Sequence, residues 1–241
     1  MRKHGGIALF LFTLSLMSAL SVLYWSNVKE RLAATGGLAA GAGPVFCSPA
    51  DTPCLALTFD LDSRSDDVSG LLTALEKNQT KATFFITGNW LEAHTQDAKD
   101  MIAAGHELGN HTQSHPDMTS LNEKDQTHEL WTLHEEIYRL TGTSMQLFRP
   151  PYGSYDNSVI QNARKNGYIT VNWNVDSQDW KDYSVNEITD TICQNENLQN
   201  GSIILLHGGT RFTCEALDPV ISRLKEDGYR FSTVSQLING Q

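Results

Sequence analysis

Residues 55–88 read LALTFDLDSRSDDVSGLLTALEKNQTKATFFITG, and this stretch decides the fold. LALTF is an apolar run of single-strand length, DDVSGLLTALEKN spaces its apolar residues at the helical period, and ATFFITG is a second apolar run rich in aromatics. NWLEAHTQDAKDMIAAG then returns to a helical pattern. Strands alternating with amphipathic helices predict parallel strands covered by helices, because a parallel pair must be joined by a crossover. Toward the C-terminus the rhythm continues, with helices expected over 120–141, 156–166, 185–194 and 216–227 and strands over 146–148, 169–175, 202–206 and 229–231. The expected architecture is one α/β domain, either an open sheet or a barrel, without internal repeat. Sites in such folds gather at the carboxyl ends of strands. Asp60 and Asp62 end the first predicted strand, Arg149 to Gly153 follow the strand at Leu147, Asp176 to Trp180 follow the one at Val175, and His207 follows Leu206.

Toward the N-terminus the character changes. Gly5 to Trp25 is uncharged and long enough to cross a hydrocarbon core as a helix, and Arg2, Lys3 and His4 precede it. Without a small-x-small cleavage site directly after the run, residues 1–32 are expected to be an uncleaved signal anchor, with a cleaved secretory signal as the alternative. The basic start puts the N-terminus in the cytoplasm, although Lys29 and Arg31 beyond the run weaken that bias. Residues 33–44, AATGGLAAGAGP, are expected to be a flexible linker, and 45–241 the catalytic domain on the extracytoplasmic side of the cell membrane. The 18 Lys+Arg against 28 Asp+Glu give a net charge of -10, which repels phosphate backbones and excludes nucleic acid as a partner. No protein partner is indicated. In an exported chain four cysteines favour disulfides, proposed as Cys47 with Cys54 and Cys193 with Cys214. A four-thiolate zinc knuckle is disfavoured by their spacing.

His111 and His115, in HTQSH, are four apart, so on a helix or helical turn both rings face one side and can hold one ion. An oxygen ligand, Asp60 or Asp62, would complete a site with positions open to water, as hydrolytic metals require. Each feature also has a plain structural reading. Two such histidines can be surface residues or caps, RPPYG can be a rigid turn, and a histidine ending an apolar strand can be packed.

Taken together, LTFDLD, KATFFITGNW, GHELGNHTQSHPDM, LFRPPYG, VDSQDW and ILLHGG resemble the marks of the polysaccharide deacetylase family, also called the NodB-homology group or carbohydrate esterase family 4. The resemblance runs from about Leu55 to Leu237. It implies a distorted (β/α) barrel of the NodB type and a metal-dependent hydrolase that removes N-acetyl groups from an N-acetylglucosamine-containing cell-wall polysaccharide. Peptidoglycan is the first expectation and chitin-type oligomers the next. A xylan O-acetyl esterase, a non-catalytic glycan-binding domain and an envelope scaffold are the other readings.

Residue by residue, the resemblance implies Asp60 as general base, Arg149 as its partner, the Tyr152 N–H as oxyanion donor, and His207 as the acid oriented by Asp179. His111 and His115 become metal ligands, with zinc expected and cobalt, manganese or nickel admissible. Pro150, Tyr152, Trp180 and Leu205 are expected to meet the substrate, Leu205 lining the acetyl-methyl pocket. One departure stands out. The family's usual pair of adjacent aspartates is Asp60-Leu61-Asp62 here, so the third ligand is assigned to Asp62, which alternation places on the same side as Asp60. His4, His94, His106, His128 and His134 match no motif position.

Overall fold

The computed structural model describes residues 43–48 and 52–240. The expected anchor and most of the linker lie outside them. No helix among the described residues is long and apolar enough to cross a membrane.

The strands are β1 (Cys54–Leu61), β2 (Thr83–Ile86), β3 (Glu107–Asn110), β4 (Leu147–Phe148), β5 (Ile169–Thr170), β6 (Val175–Asp176), β7 (Ile203–His207) and β8 (Arg230–Phe231). The helices are α1 (Val68–Lys77), α2 (Gly88–Ala93), α3 (Thr95–Ala103), α4 (Glu123–Thr141), α5 (Asn157–Lys165), α6 (Val185–Cys193), α7 (Thr213–Glu226) and α8 (Val234–Ile238). The sheet runs β5-β4-β3-β2-β1-β7-β6, with β8 added on β1, and every pairing between these strands is parallel.

Chain length forces this sheet to curl. Seven strands laid flat at about 4.8 Å would separate β5 from β6 by roughly 29 Å. Only residues 171–174 join them, and five extended steps reach at most about 18 Å. The two edges must therefore approach each other, which makes a half-barrel. The gap is partly bridged from outside: Val45 donates to the Thr170 carbonyl and accepts from the Asn172 amide, both at 2.8 Å.

Alternation along β1 sorts its side chains into two cores. Leu55, Leu57, Phe59 and Leu61 pack outward against the helices, while Cys54 and Ala56 pack inward with Phe85, Leu147, Val171 and Ile203. Val234 and Leu237 of α8 belong to that inner cluster. Asp60 continues the inward row at the carboxyl end.

Four expectations are corrected. The strand expected over 169–175 is two strands on opposite edges of the sheet, because the Asn172 amide turns to Val45 and the Asn174 side chain accepts from the Ile203 amide. The helical pattern over 89–105 is broken at His94, whose ring stacks on Trp90 at 4.9 Å and bonds Asp97. β3, with a glycine in it, went unread. The four cysteines are free thiols rather than two disulfides. Cys54 donates to Ser232 and Cys214 to Asp67, Cys47 accepts from Gln199, and burial pushes Cys193 up to about 11.

Candidate active site

At the carboxyl ends of the strands lies a cavity of about 600 Å³, lined among others by Asp60, Asp62, His111, His115, Tyr152, Trp180, Leu205 and His207. Asp60 on β1 is the register partner of His207 on β7, and Thr58 that of Leu205. Partners in parallel strands project to the same face, so Asp60 and His207 stand side by side by backbone construction alone.

Asp60 is held from below by Arg149. This fully buried guanidinium bonds the Asp60 carboxylate at 2.7 Å, the Thr58 hydroxyl at 2.9 Å and the Asn172 carbonyl at 3.2 Å, and it lies over the Phe85 ring at 4.1 Å. Burial alone would raise the Asp60 pKa, but the Arg149 charge, helped by His111 and His207, pulls it below the ordinary value of 3.8. Asp60 is therefore held ionised and oriented.

His207 has the opposite tuning. Its Nδ1 bonds Asp179 at 2.8 Å and its backbone amide donates to the other Asp179 oxygen at 2.8 Å, which also accepts from the Thr213 hydroxyl at 2.6 Å. Burial would lower the His207 pKa, but the bond and charge of Asp179 carry it above 6.5. Since Nδ1 is taken by a carboxylate, Nε2 is the nitrogen left for chemistry. Thr213 was missed in the sequence; no motif marks a hydroxyl at the start of a helix as a partner of a carboxylate 34 residues away.

HTQSH is not helical, contrary to the expectation. His111 leaves β3, and Thr112 and His115 take left-handed backbone angles, φ 75 and φ 62. The two rings still meet edge to face at 4.8 Å. His111 Nδ1 donates to the Arg149 carbonyl at 2.8 Å, which turns Nε2 toward Asp60, 3.5 Å away. Burial, against the pull of Asp60, lowers the His111 pKa to about 4 and keeps the ring neutral, as a metal ligand must be.

The Asp62 carboxylate lines the same cavity but is clasped by Arg64, with Nη2 at 2.7 Å and Nε at 3.2 and 3.3 Å. Among the described residues no three His, Cys, Asp or Glu side chains are gathered closely enough to hold one ion. The donor chemistry of His111, His115 and Asp62 fits the expected divalent metal, whereas their arrangement lacks a common centre. Leu61, fully buried in the outer core, has no route to the cavity.

The residues expected to meet the substrate divide as follows. Leu205 is buried at the cavity floor, while Trp180 and Tyr152 are 57% and 71% exposed. Tyr152 adopts φ 61, and its ring meets that of His115 at 4.8 Å. Pro150 is buried outside the lining and shapes the turn. Gly153 at φ +65 is required, since a Cβ there would sit 2.8 Å from Trp173, a lining residue the sequence did not announce. Gly209 is required too, because its Cβ would fall 2.2 Å from the Arg64 carbonyl.

A parallel half-barrel carrying an arginine-held aspartate beside a carboxylate-held histidine has the layout of an acid–base hydrolase. The polysaccharide deacetylase family model matches residues 48–171, and the chain belongs to that family. The chain is 33% identical over 196 residues to YlxY of Bacillus subtilis, covering 81% of this chain and 60% of that protein's length. It is likewise 33% identical over 196 residues to a peptidoglycan-N-acetylglucosamine deacetylase of Bacillus cereus, covering 80% and 70%. Among solved structures, a pseudoenzyme of carbohydrate esterase family 4 from Bacillus anthracis superposes with TM-score 0.78 at 29% identity, covering 83% of this chain and 70% of that one. The Bc1960 peptidoglycan N-acetylglucosamine deacetylase superposes with TM-score 0.77 at 32% identity, covering 82% and 93%.

Proposed function

We propose that the chain is a metal-dependent hydrolase that removes N-acetyl groups from an N-acetylglucosamine-containing cell-wall polysaccharide, peptidoglycan first and chitin-type oligomers next, releasing acetate. The reading is carried by one observation: Asp60, its pKa lowered beside Arg149, and His207, its pKa raised by Asp179, are register partners on adjacent strands at one cavity. Two groups whose environments push their pKa values apart are a base and an acid.

In this reading Asp60 takes the proton of the attacking water, with Arg149 holding its carboxylate. His207 Nε2 then delivers a proton to the departing sugar amine, with Asp179 stabilising the imidazolium. The Tyr152 N–H faces the developing oxyanion, Leu205 receives the acetyl methyl, and Trp180 and Tyr152 flank the sugar. His111, His115 and Asp62 are the residues that would hold a divalent ion, zinc first, which when bound would supply Lewis-acid polarisation of the acetamide and acidify the water. The same reading places the domain outside the cell membrane, tethered by residues 1–32.

A second reading, a glycan-binding domain without turnover, is favoured by the Asp62–Arg64 clasp and by the pseudoenzyme among the fold neighbours. Acetate release from N-acetylglucosamine oligomers with added zinc separates the two. Release that disappears in Asp60→Asn supports the deacetylase. Oligomer binding without release selects the second reading.

A further inference from the structure

The turn after β1 is held rigidly from both sides. Ser65 donates its amide to the Asp62 carbonyl at 2.9 Å and its hydroxyl to the Gly208 carbonyl at 3.0 Å, while the buried Trp90 indole donates to the Ser65 carbonyl at 2.8 Å. The Arg64 backbone is therefore fixed, yet its side chain is 85% exposed and lies along the cavity rim. Nothing in the packing forces it onto Asp62. What holds it there is charge and hydrogen bonding.

The contact engages both carboxylate oxygens. Asp62 Oδ1 receives the Arg64 amide at 2.9 Å and Nε at 3.3 Å, and Oδ2 receives Nε at 3.2 Å and Nη2 at 2.7 Å. An ionised carboxylate offers about four lone-pair sites, and three N–H donors of a single residue, the Nε–H shared between both oxygens, occupy most of them. A cation approaching this carboxylate competes with the guanidinium, which is itself a like charge at close range.

We propose that Arg64 is a determinant of metal affinity in this chain, an intramolecular competitor that occupies the Asp62 carboxylate and must be displaced before that carboxylate can ligate a divalent cation. The inference rests on the metal-site reading of Asp62, His111 and His115. It explains why two imidazoles, one of them with its Nδ1 fixed on the Arg149 carbonyl, and a carboxylate share a cavity without sharing a centre. It also identifies the side chain that sets how readily the site fills.

The test uses the full-length chain in mild detergent and reads zinc affinity by competition with a chromophoric chelator. Arg64→Gln should tighten zinc binding roughly fivefold, the upper end for an exposed ion pair. In an Asp62→Asn background the same substitution should bring no gain. Equal or weaker affinity in Arg64→Gln overturns the proposal while leaving the metal reading intact, and so does an equal gain in both backgrounds, since that reflects general charge. Absence of zinc binding in every form, indifferent to His111→Ala and His115→Ala, removes the metal reading and the proposal with it.

Discussion

Replacing Arg149 with Met tests the support beneath the base. The guanidinium is wholly buried and 2.7 Å from Asp60, whose side chain is 11% exposed. At an effective dielectric of about 20, two unit charges at that distance attract by roughly 6 kcal/mol, most of which offsets their desolvation. The pair's net contribution is thus small, but removing one partner strands the other, at a cost of about 3–5 kcal/mol. With a urea slope of about 2 kcal/mol/M, Arg149→Met should lower the unfolding midpoint by roughly 2 M. The double variant Arg149→Met with Asp60→Leu leaves no stranded charge and should recover most of the loss. Midpoints from urea titration of the two singles and the double decide it. A loss below about 1 kcal/mol in the single, or a double variant no more stable than the single, refutes the view that Arg149 exists to hold a buried carboxylate.

The pH dependence of kcat/KM should be bell-shaped, with activity lost as pH falls through the depressed Asp60 pKa and lost again as pH rises through the elevated His207 pKa. Asp179→Asn should bring the alkaline limb down, and a limb already at or below 6.5 in the native chain would contradict the assignment. Thr213→Val removes one of three hydrogen bonds that fix Asp179 and should lower kcat/KM about tenfold with a shifted alkaline limb, while Thr213→Ser restores both. Equal behaviour of Val and Ser would reduce Thr213 to packing. His106 and His134 are lowered by burial from 6.5 to about 4, so their contribution to stability is complete above 6.5 and is lost as pH falls toward 4. Thermal midpoints that do not drop between pH 7 and pH 5 would count against this.

The parts of the fold legible in the sequence are those where period and burial agree. β1, α1 and β2 follow from LALTFDLD through ATFFITG because the two apolar runs are buried on both faces and the helix between them on one. The 169–175 run was misread because its apolar residues are equally suited to one strand or two. Only tertiary partners, the Val45 carbonyl and the Ile203 amide, decide where the backbone changes edge. The same limit applies to HTQSH, whose spacing suggested a helical face. The rings converge through two left-handed residues instead, a conformation that spacing does not encode. Paired cysteines were expected from their even number, but number does not place Sγ atoms, and each thiol has its own surroundings.

In the proposed function, the acid–base half of the site and its metal half depend on different levels of structure. Asp60 and His207 are brought together by strand register, so any chain that builds this sheet with those residues acquires the pair. The third donor lies beyond the last residue of β1, in a turn, where its partner is chosen by side-chain competition and not by the sheet. A fold that superposes equally well on an active deacetylase and on a pseudoenzyme therefore cannot separate turnover from binding. The separation must reside in side chains at the cavity rim. In the proposed reading, the contact between Asp62 and Arg64 is where a single exposed guanidinium stands between the His111 and His115 rings and the carboxylate that would complete their set.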